Sequence, residues 1–541
     1  MSILTETGFF GANLKIHRRF LPEGVGVMSL NQKPSEEGDF RPWRVPLAIS
    51  GVTLVSSAVT LYRMGRDVVS NSAYWLSFTT LVHFCRAFDA SDPTERTAFT
   101  GSGTPKWADT TMLGSAPYPT VTRELSVPPP LVAPTVALTT DGPSGDARQL
   151  YYVYTRVNDI GWESAPSPPT LAPSAKPGAV LALSYTESVP AGNYGVNRVR
   201  WYRQNVAGDT SVAEYFFVRE YAIGASGQSD DARALGELLP TENWLPLDSS
   251  ATWLTYCWNQ FAAALVGKAV RFCVPNIIYA WPPLDYEYTL SHEPIALGAF
   301  AERLVALTTG GLEVLTGTDP NAMSQKPIAA AICVSQRSVV TGDLFMAWAA
   351  ADGLWYYGVD GYRCLSDEFM RNDQWAALVP STIVGHLVRL GERQLYVGFY
   401  NDGALKGFVI DPANPRGMYF LSTGYSAGYF DPLLSALFVL DAGALKQWDA
   451  GASFMTASHT TRVARQPTDA EAEWIEILGS GSVDVKLYTE QRGATADSTA
   501  LVQRMSRTVQ RGEHRVPNGT VGRDYQLQIS TTGSVQGLVV E

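Results

Sequence analysis

The sequence predicts an all-β fold, a β-propeller with a β-sandwich inserted into it, on three observations. Helical periodicity is scarce, with few windows placing apolar residues at i, i+3, i+4 and i+7, whereas short β-branched and aromatic runs bounded by Gly, Pro, Asn and Asp occur throughout. An apolar run, a glycine turn and a second apolar run recur at a steady spacing through the second half of the chain. Between residues 126 and 245 the texture changes to aromatic-rich, alternating strands behind a stiff proline linker.

At 541 residues the chain has length for about three or four domains and several buried cores, which excludes a small disulfide-stapled module. Charged residues make up 17% of it, below the roughly 25% of an average soluble protein. With 14 Trp, 25 Tyr and 21 Phe, much of the surface is expected to meet other protein. A formal charge of −11 disfavours a generally basic nucleic-acid binder, although nucleic acid can pass such a surface without being held. The cysteines Cys85, Cys257, Cys273, Cys333 and Cys364 are scattered, with no C-x-x-C pair, and are expected to be free thiols of a reducing compartment. The opening residues lack a basic n-region followed by an apolar core, and residues 45–62 alternate like sheet around Pro46 and Gly51, so a soluble chain made in the cytoplasm is expected.

Residues 1–125 carry Phe20-Leu21-Pro22, Asp39-Phe40-Arg41-Pro42-Trp43-Arg44 and a strand pair near 52–62, and are read as N-terminal propeller blade or blades. Residues 126–245 form the inserted β-sandwich. They open on Val127-Pro128-Pro129-Pro130 and include strands at 150–156, 198–203 and 214–219, each with one face to bury. Their Tyr-rich strand followed by Asn158, Gly161 and Glu163-Ser164-Ala165-Pro166-Ser167 resembles fibronectin type III or immunoglobulin-like domains.

Residues 246–460 carry the repeat. The pairs are 261–265 with 269–272, 304–307 with 312–315, 344–348 with 354–357, 395–399 with 405–410, and 436–440 with 445–448. Their turn glycines, Gly267, Gly311, Gly353, Gly403 and Gly443, lie 44, 42, 50 and 40 residues apart, the length of a four-stranded propeller blade, and are read as turns that need φ > 0. A run of unrelated hairpins in a sandwich or prism is the alternative. Residues 461–541 are more polar, with strands at 474–478 and 483–488, and are read as a β segment that closes the propeller or forms a distal tip.

No G-x-S-x-G, H-E-x-x-H, P-loop or dinucleotide fingerprint occurs, and no catalytic, cofactor-binding or metal-binding residue is assigned. His17, His83, His292, His386, His459 and His514 lack metal spacing. Asp285, Glu287, His292 and Glu293 form the best acidic cluster, but two carboxylates at i, i+2 read as a solvated strand edge rather than a glycosidase pair. Asp352-Gly353 and Asp402-Gly403 read as turn chemistry, not calcium loops, and Asn518-Gly519-Thr520 is a bare match to the glycosylation pattern. Arg504, Arg507, Arg511 and Arg515, with His514, would make one basic stripe on a helix, able to meet phosphates or an acidic partner, and would break up on strands; a solvated face is the preferred reading.

Several pieces in order resemble a known family. Phe20-Leu21-Pro22, Phe40-Arg41-Pro42-Trp43-Arg44 and Leu61-Tyr62-Arg63 are similar to the first blade of the propeller proteins of short-tailed bacteriophage tails. So are Tyr152-Val153-Tyr154-Thr155 with Gly161-Trp162-Glu163-Ser164-Ala165-Pro166-Ser167-Pro168, and then Asn276-Ile277-Ile278-Tyr279-Ala280-Trp281-Pro282. Leu304-Val305-Ala306-Leu307, Leu312-Glu313-Val314-Leu315-Thr316-Gly317 and Ser335-Gln336-Arg337-Ser338 continue the match, which covers most of residues 15–360 and fades after 460. The resemblance implies a tail nozzle, or tail hub or tail tubular protein. This is a structural virion protein forming a hexameric ring below the portal and adaptor, meeting tail fibre or needle proteins, and passing double-stranded DNA through its lumen at genome ejection. It implies no enzyme activity, no cofactor and no membrane insertion, and a place in the virion tail after assembly in the host bacterial cytoplasm. The competing reading is a carbohydrate-binding or glycan-cleaving propeller whose Trp355, Tyr356, Tyr357 and Trp375 stack on sugars. Alternation along residues 354–357 predicts that at least half of that run is core.

Overall fold

The computed structural model describes residues 2–65, 70–89, 91–204, 214–231, 234–490 and 501–541. Among these the chain is nearly all β: its helices are one α-helix, Asn372–Ala376, and two single-turn 3-10 segments, Gln336–Ser338 and Pro380–Thr382. It forms two compact units. One comprises Met1–Thr79, Leu307–Leu312 and Ile328–Glu541; the other comprises Thr80–Ala306 and Glu313–Pro327.

The recurring hairpins are real, and each supplies the middle of a four-stranded antiparallel run. Ala262–Val266 and Ala269–Phe272 are flanked by Thr252–Tyr256 and Glu287–Thr289. Arg303–Thr308 and Gly311–Thr316 lie between Pro294–Phe300 and Ser324–Ile328. Phe345–Ala349 and Leu354–Gly358 lie between Val340–Thr341 and Gly361–Cys364. Arg393–Asn401 and Leu405–Ile410 lie between Val384–Leu390 and Tyr419–Leu421. A further sheet of this kind, His83–Arg86, Thr97–Thr100, Lys106–Ala108 and Arg123–Glu124, precedes them in the chain. The middle strands are buried along most of their length, which is why they read as unbroken apolar runs in the sequence.

The last sheet of the series takes its fourth strand from far away. Gly428–Asp431, Ala436–Asp441 and Ala444–Gln447 are completed by Leu47–Ala48, which pairs with Lys446 and Gln447. Nearby, Arg63 on Thr60–Arg63 reaches Asp431 at 2.7 Å, an ion pair with almost no solvent contact on either side chain. Because each charge has been taken out of water, loss of one partner is expected to cost about 3–5 kcal/mol.

Turn glycines 267, 311, 403 and 443 have positive φ, as the hairpin reading requires. Gly353 does not. Its constraint is steric instead: a Cβ there would collide with the Sγ of Cys364, the last residue of strand Gly361–Cys364, and with the Oγ of Ser366 just beyond it.

Residues 126–245 build two sheets. Thr135–Thr140, Val180–Ser184 and Ser229–Asp230 form one, and Thr170–Leu171, Tyr151–Asn158, Val196–Gln204 and Tyr215–Ala222 form the other. Their facing sides share a core of Val136, Leu181 and Leu183 against Tyr152, Tyr154, Val199 and Trp201.

The C-terminal residues also make two sheets around one core. Trp474–Ser480 pairs with Gly512–Arg515 and Ser534–Val540, and the N-terminal Leu4–Glu6 adds to the far edge. Facing it, Val483–Glu490 lies between Leu501–Val509 and Val521–Thr531. Ile475, Ile477, Val485, Leu487, Leu527, Ile529 and Leu538 fill the space between, joined by Phe9 and Phe40. Met28–Leu30 carries this sheet on into the 384–421 run, parallel to Tyr419–Leu421 and antiparallel to Ala457–Thr460.

Candidate functional site

The acidic cluster near residue 290 does not assemble a catalytic pair. Strand Glu287–Thr289 lies beside Ala269–Phe272, and the Glu287 carboxylate is taken by the Arg271 guanidinium, whose Nε donates at 2.8 Å. Asp285, His292 and Glu293 are exposed in the turns on either side of that strand. The solvated-edge reading describes this geometry.

The aromatic run is core, not platform. Trp375 is buried and donates its Nε1–H to the Ala350 carbonyl at 2.9 Å. Tyr356 is buried with its hydroxyl on Asp360 at 2.7 Å, and Tyr357 is buried beside it. Trp355 is half-buried, stacked on Tyr362 with centroids 4.6 Å apart, and its Nε1–H is held by Asp352. The faces needed for sugar stacking are therefore covered at three of the four positions. Asp352 and Asp402 serve their own hairpins, the latter accepting from Lys406 at 2.9 Å.

The residues that sequence reasoning missed lie in the 126–245 region. Glu163 is buried, and its carboxylate accepts from the Thr155 Oγ1 at 2.6 Å, the Tyr202 hydroxyl at 2.6 Å and the Arg200 Nη1 at 2.7 Å. Arg200 also donates from Nε to Glu220 at 2.7 Å, and Arg198 meets the same carboxylate at 3.0 Å. A second buried carboxylate, Asp230, accepts from the Tyr152 hydroxyl at 2.7 Å and from Arg203 at 2.6 Å. Burial first, and then the adjacent carboxylates, push both tyrosine hydroxyls far above their ordinary pKa. Both tyrosine hydroxyl protons are held by these carboxylates. A cavity of about 530 Å³ opens beside the first, lined by Arg200, Phe217, Glu220, Leu238 and Pro240. The alternation of Arg198 and Arg200 is visible in the sequence, but an acceptor 37 residues from Arg200 is not.

Arg504 and Arg507 lie on strand Leu501–Val509 and Arg515 on Gly512–Arg515, so no helical stripe exists. The strands nevertheless bring these three arginines together around a cavity of about 570 Å³ that also touches Ser506, Pro517 and Asn518. Arg511 is exposed at the connecting turn, and His514 Nε2 lies 2.6 Å from the Gln510 carbonyl oxygen.

All five cysteines are free; Cys85, Cys257, Cys273 and Cys333 are buried and Cys364 is partly so. Burial pushes the Cys333 thiol up to about 11 and the Cys273 thiol up to about 12, which leaves them protonated and unreactive. Among the described residues no group of three or more His, Cys, Asp or Glu is arranged to hold a metal ion, and no helix is long and apolar enough to cross a membrane.

No family model and no curated protein matches the chain. Solved structures to which it is similar include BBS1N in complex with ARL6DN, at 13% identity over 75% of this chain and 97% of that one, with a TM-score of 0.29. The Neurospora crassa Pan2 WD40 domain is similar at 10% identity over 52% and 85%, TM-score 0.28. Apo AztD from Citrobacter koseri is similar at 13% identity over 71% and 99%, TM-score 0.27.

Proposed function

We propose that this chain is a structural virion protein, the nozzle or hub ring of a short-tailed bacteriophage tail, and that it performs no covalent chemistry. The observation that carries the reading is the regular succession of four-stranded runs, one of them continued into a larger sheet, with a separately cored two-sheet region following the first of them in the chain. This is the order of parts that the resemblance implies. In this reading the sheets are propeller blades packed radially, and residues 126–245 are a fibronectin- or immunoglobulin-like platform inserted between blades. Six copies close into a ring through heterologous contacts, below the portal and adaptor and above fibre or needle proteins. Large permanent interfaces favour aromatic residues over charges, as the 11% aromatic and 17% charged composition provides. A net charge of −11 lets duplex DNA slide through the lumen, because a basic wall would retain it by counterion release.

Negative-stain electron microscopy of the purified chain, alone and with the portal complex, tests the reading. Six-fold rings with a lumen that admits duplex DNA are expected. Particles that stay monomeric at every concentration, with the portal present as template, would overturn it.

A further inference from the structure

Four arginines of the C-terminal region, Arg504, Arg507, Arg511 and Arg515, meet no carboxylate among the described residues, whereas Arg462, Arg465 and Arg523 do. In the same unit Arg19 finds Asp524, Arg63 finds Asp431, Arg393 finds Glu36 and Asp411, and Arg462 finds Glu6. Arg504, Arg507, Arg511 and Arg515 fall within twelve residues of a chain that has 52 acidic side chains to 41 basic ones, yet among the described residues they make no ion pair. Arg504 reaches only the Glu490 carbonyl, at 3.5 Å, and Arg515 only the Asn518 side chain, at 3.3 Å.

Their placement is specific. Strand Leu501–Val509 is the last of its sheet: one edge pairs with Val483–Glu490, and the other edge is unpaired among the described residues. Arg507 lies opposite the buried Val485, on the same side of the strand as Met505 and Val509, whose side chains enter the core. Its own side chain is exposed, so it reaches out through the mouth between the two sheets. A bulge puts Arg504 outside the regular pairing, since Met505 faces Leu487 while Gln503 faces Tyr488. Arg515 arrives from the facing sheet, where it lies opposite Trp474. Three guanidinium groups from two sheets thus surround one cavity whose lining holds no acid and no aromatic ring.

We propose that this mouth is a docking site for an extended Asp- and Glu-rich segment of a protein partner. The segment adds to the free edge at residues 505–509 and sets its carboxylates on Arg504, Arg507 and Arg515. Three physical arguments favour that occupant. A guanidinium fork matches a carboxylate through two parallel hydrogen bonds. A free strand edge recognises extended peptides through main-chain hydrogen bonds. Single-stranded nucleic acid is gripped chiefly by aromatic stacking, which this lining lacks. The site is independent of the ring reading.

The test is fluorescence anisotropy on the full chain with three labelled probes: a short alternating Glu-Val peptide, its Gln-Val counterpart and a short DNA duplex. The acidic peptide is expected to bind, more weakly as salt rises, and the neutral one is not. Binding should fall about tenfold or more in Arg507→Glu and in Arg515→Glu, and partly in Arg507→Lys, which keeps the charge and loses the fork. Equal binding by wild type and variants overturns the proposal. Duplex bound through these same arginines replaces it with a nucleic-acid site. Absence of peptide binding, together with self-association of Arg507→Gln, reduces the arginines to charges that keep a bare strand edge from pairing.

Discussion

Residues 126–245 and the C-terminal region are both pairs of sheets around a shared core, but strands Val196–Gln204 and Leu501–Val509 use arginine in opposite ways. In the first, the core is aromatic and compact, with Tyr152, Tyr154 and Trp201 at its centre, and Arg200 and Arg203 are drawn onto the buried carboxylates of Glu163 and Asp230. In the second, the core is mainly aliphatic, with Ile475, Ile477, Val485, Leu487, Leu527, Ile529 and Leu538 at its centre, and Arg504, Arg507 and Arg515 stay outside. In residues 126–245 the buried Asp230 carboxylate joins its sheet to the other through Tyr152 and Arg203, and such a polar tie has only one satisfied arrangement.

The sharpest way to break this comparison is Glu163→Ala. It strands the buried Thr155 and Tyr202 hydroxyls and leaves Arg200 with Glu220 alone, and a loss of about 2–5 kcal/mol is expected in urea unfolding, about 1–3 kcal/mol for each hydroxyl. A loss below about 1 kcal/mol would mean that water replaces the carboxylate and that the cluster does not hold strands Tyr151–Asn158 and Val196–Gln204 together. In the C-terminal region the equivalent lesion is apolar: Leu527→Ala, at a fully buried position, is expected to cost about 2–5 kcal/mol by the same measurement.

Acid separates the two regions next. Residues 126–245 contain no histidine, whereas His459 sits buried in the C-terminal region, edge-on to Phe9 with ring centroids 5.1 Å apart. Burial lowers its pKa from 6.5 to about 3, as it does for His83 and His386. A depressed histidine contributes stability that is complete above pH 6.5 and lost as pH falls toward 3, at up to about 1.4 kcal/mol per pH unit for each group. Glu6, on the edge strand of the same core, runs the other way. Burial raises it from 4.5 to about 7, so its contribution is complete below pH 4.5 and lost as pH rises through 7. Glu6 therefore offsets one histidine between pH 4.5 and 6.5. Unfolding midpoints measured between pH 7 and 5 should fall, fall more steeply in Glu6→Gln and less steeply in His459→Asn; unchanged slopes in both variants would refute the assignment.

The smallest effect is also informative. Arg504→Ala and Arg511→Ala are expected to shift stability by no more than about 0.5 kcal/mol, because both side chains are exposed and neither has a carboxylate partner. A larger loss would place these arginines in the fold and erase the contrast with Arg200.

What the sequence determined by itself is the local part of this protein. Alternation, apolar runs and turn residues act over a few neighbours, so the five hairpins of residues 261–448, the strands of residues 126–245 and the burial of at least half of the 354–357 run are all legible in the order of the amino acids. The tertiary structure decided whatever depends on residues distant along the chain. It completed the 428–447 sheet with Leu47–Ala48, joined Arg63 to Asp431, and gave Glu163 its donors at 155, 200 and 202. It also gave Gly353 a steric reason in place of a conformational one, and it gathered Arg504, Arg507 and Arg515 at one mouth although their spacing on strands predicts that they scatter. The physical reason is that periodicity specifies which face of a strand turns inward, whereas which strands become neighbours is set by closing long loops around a common core, and no short window of residues carries that information.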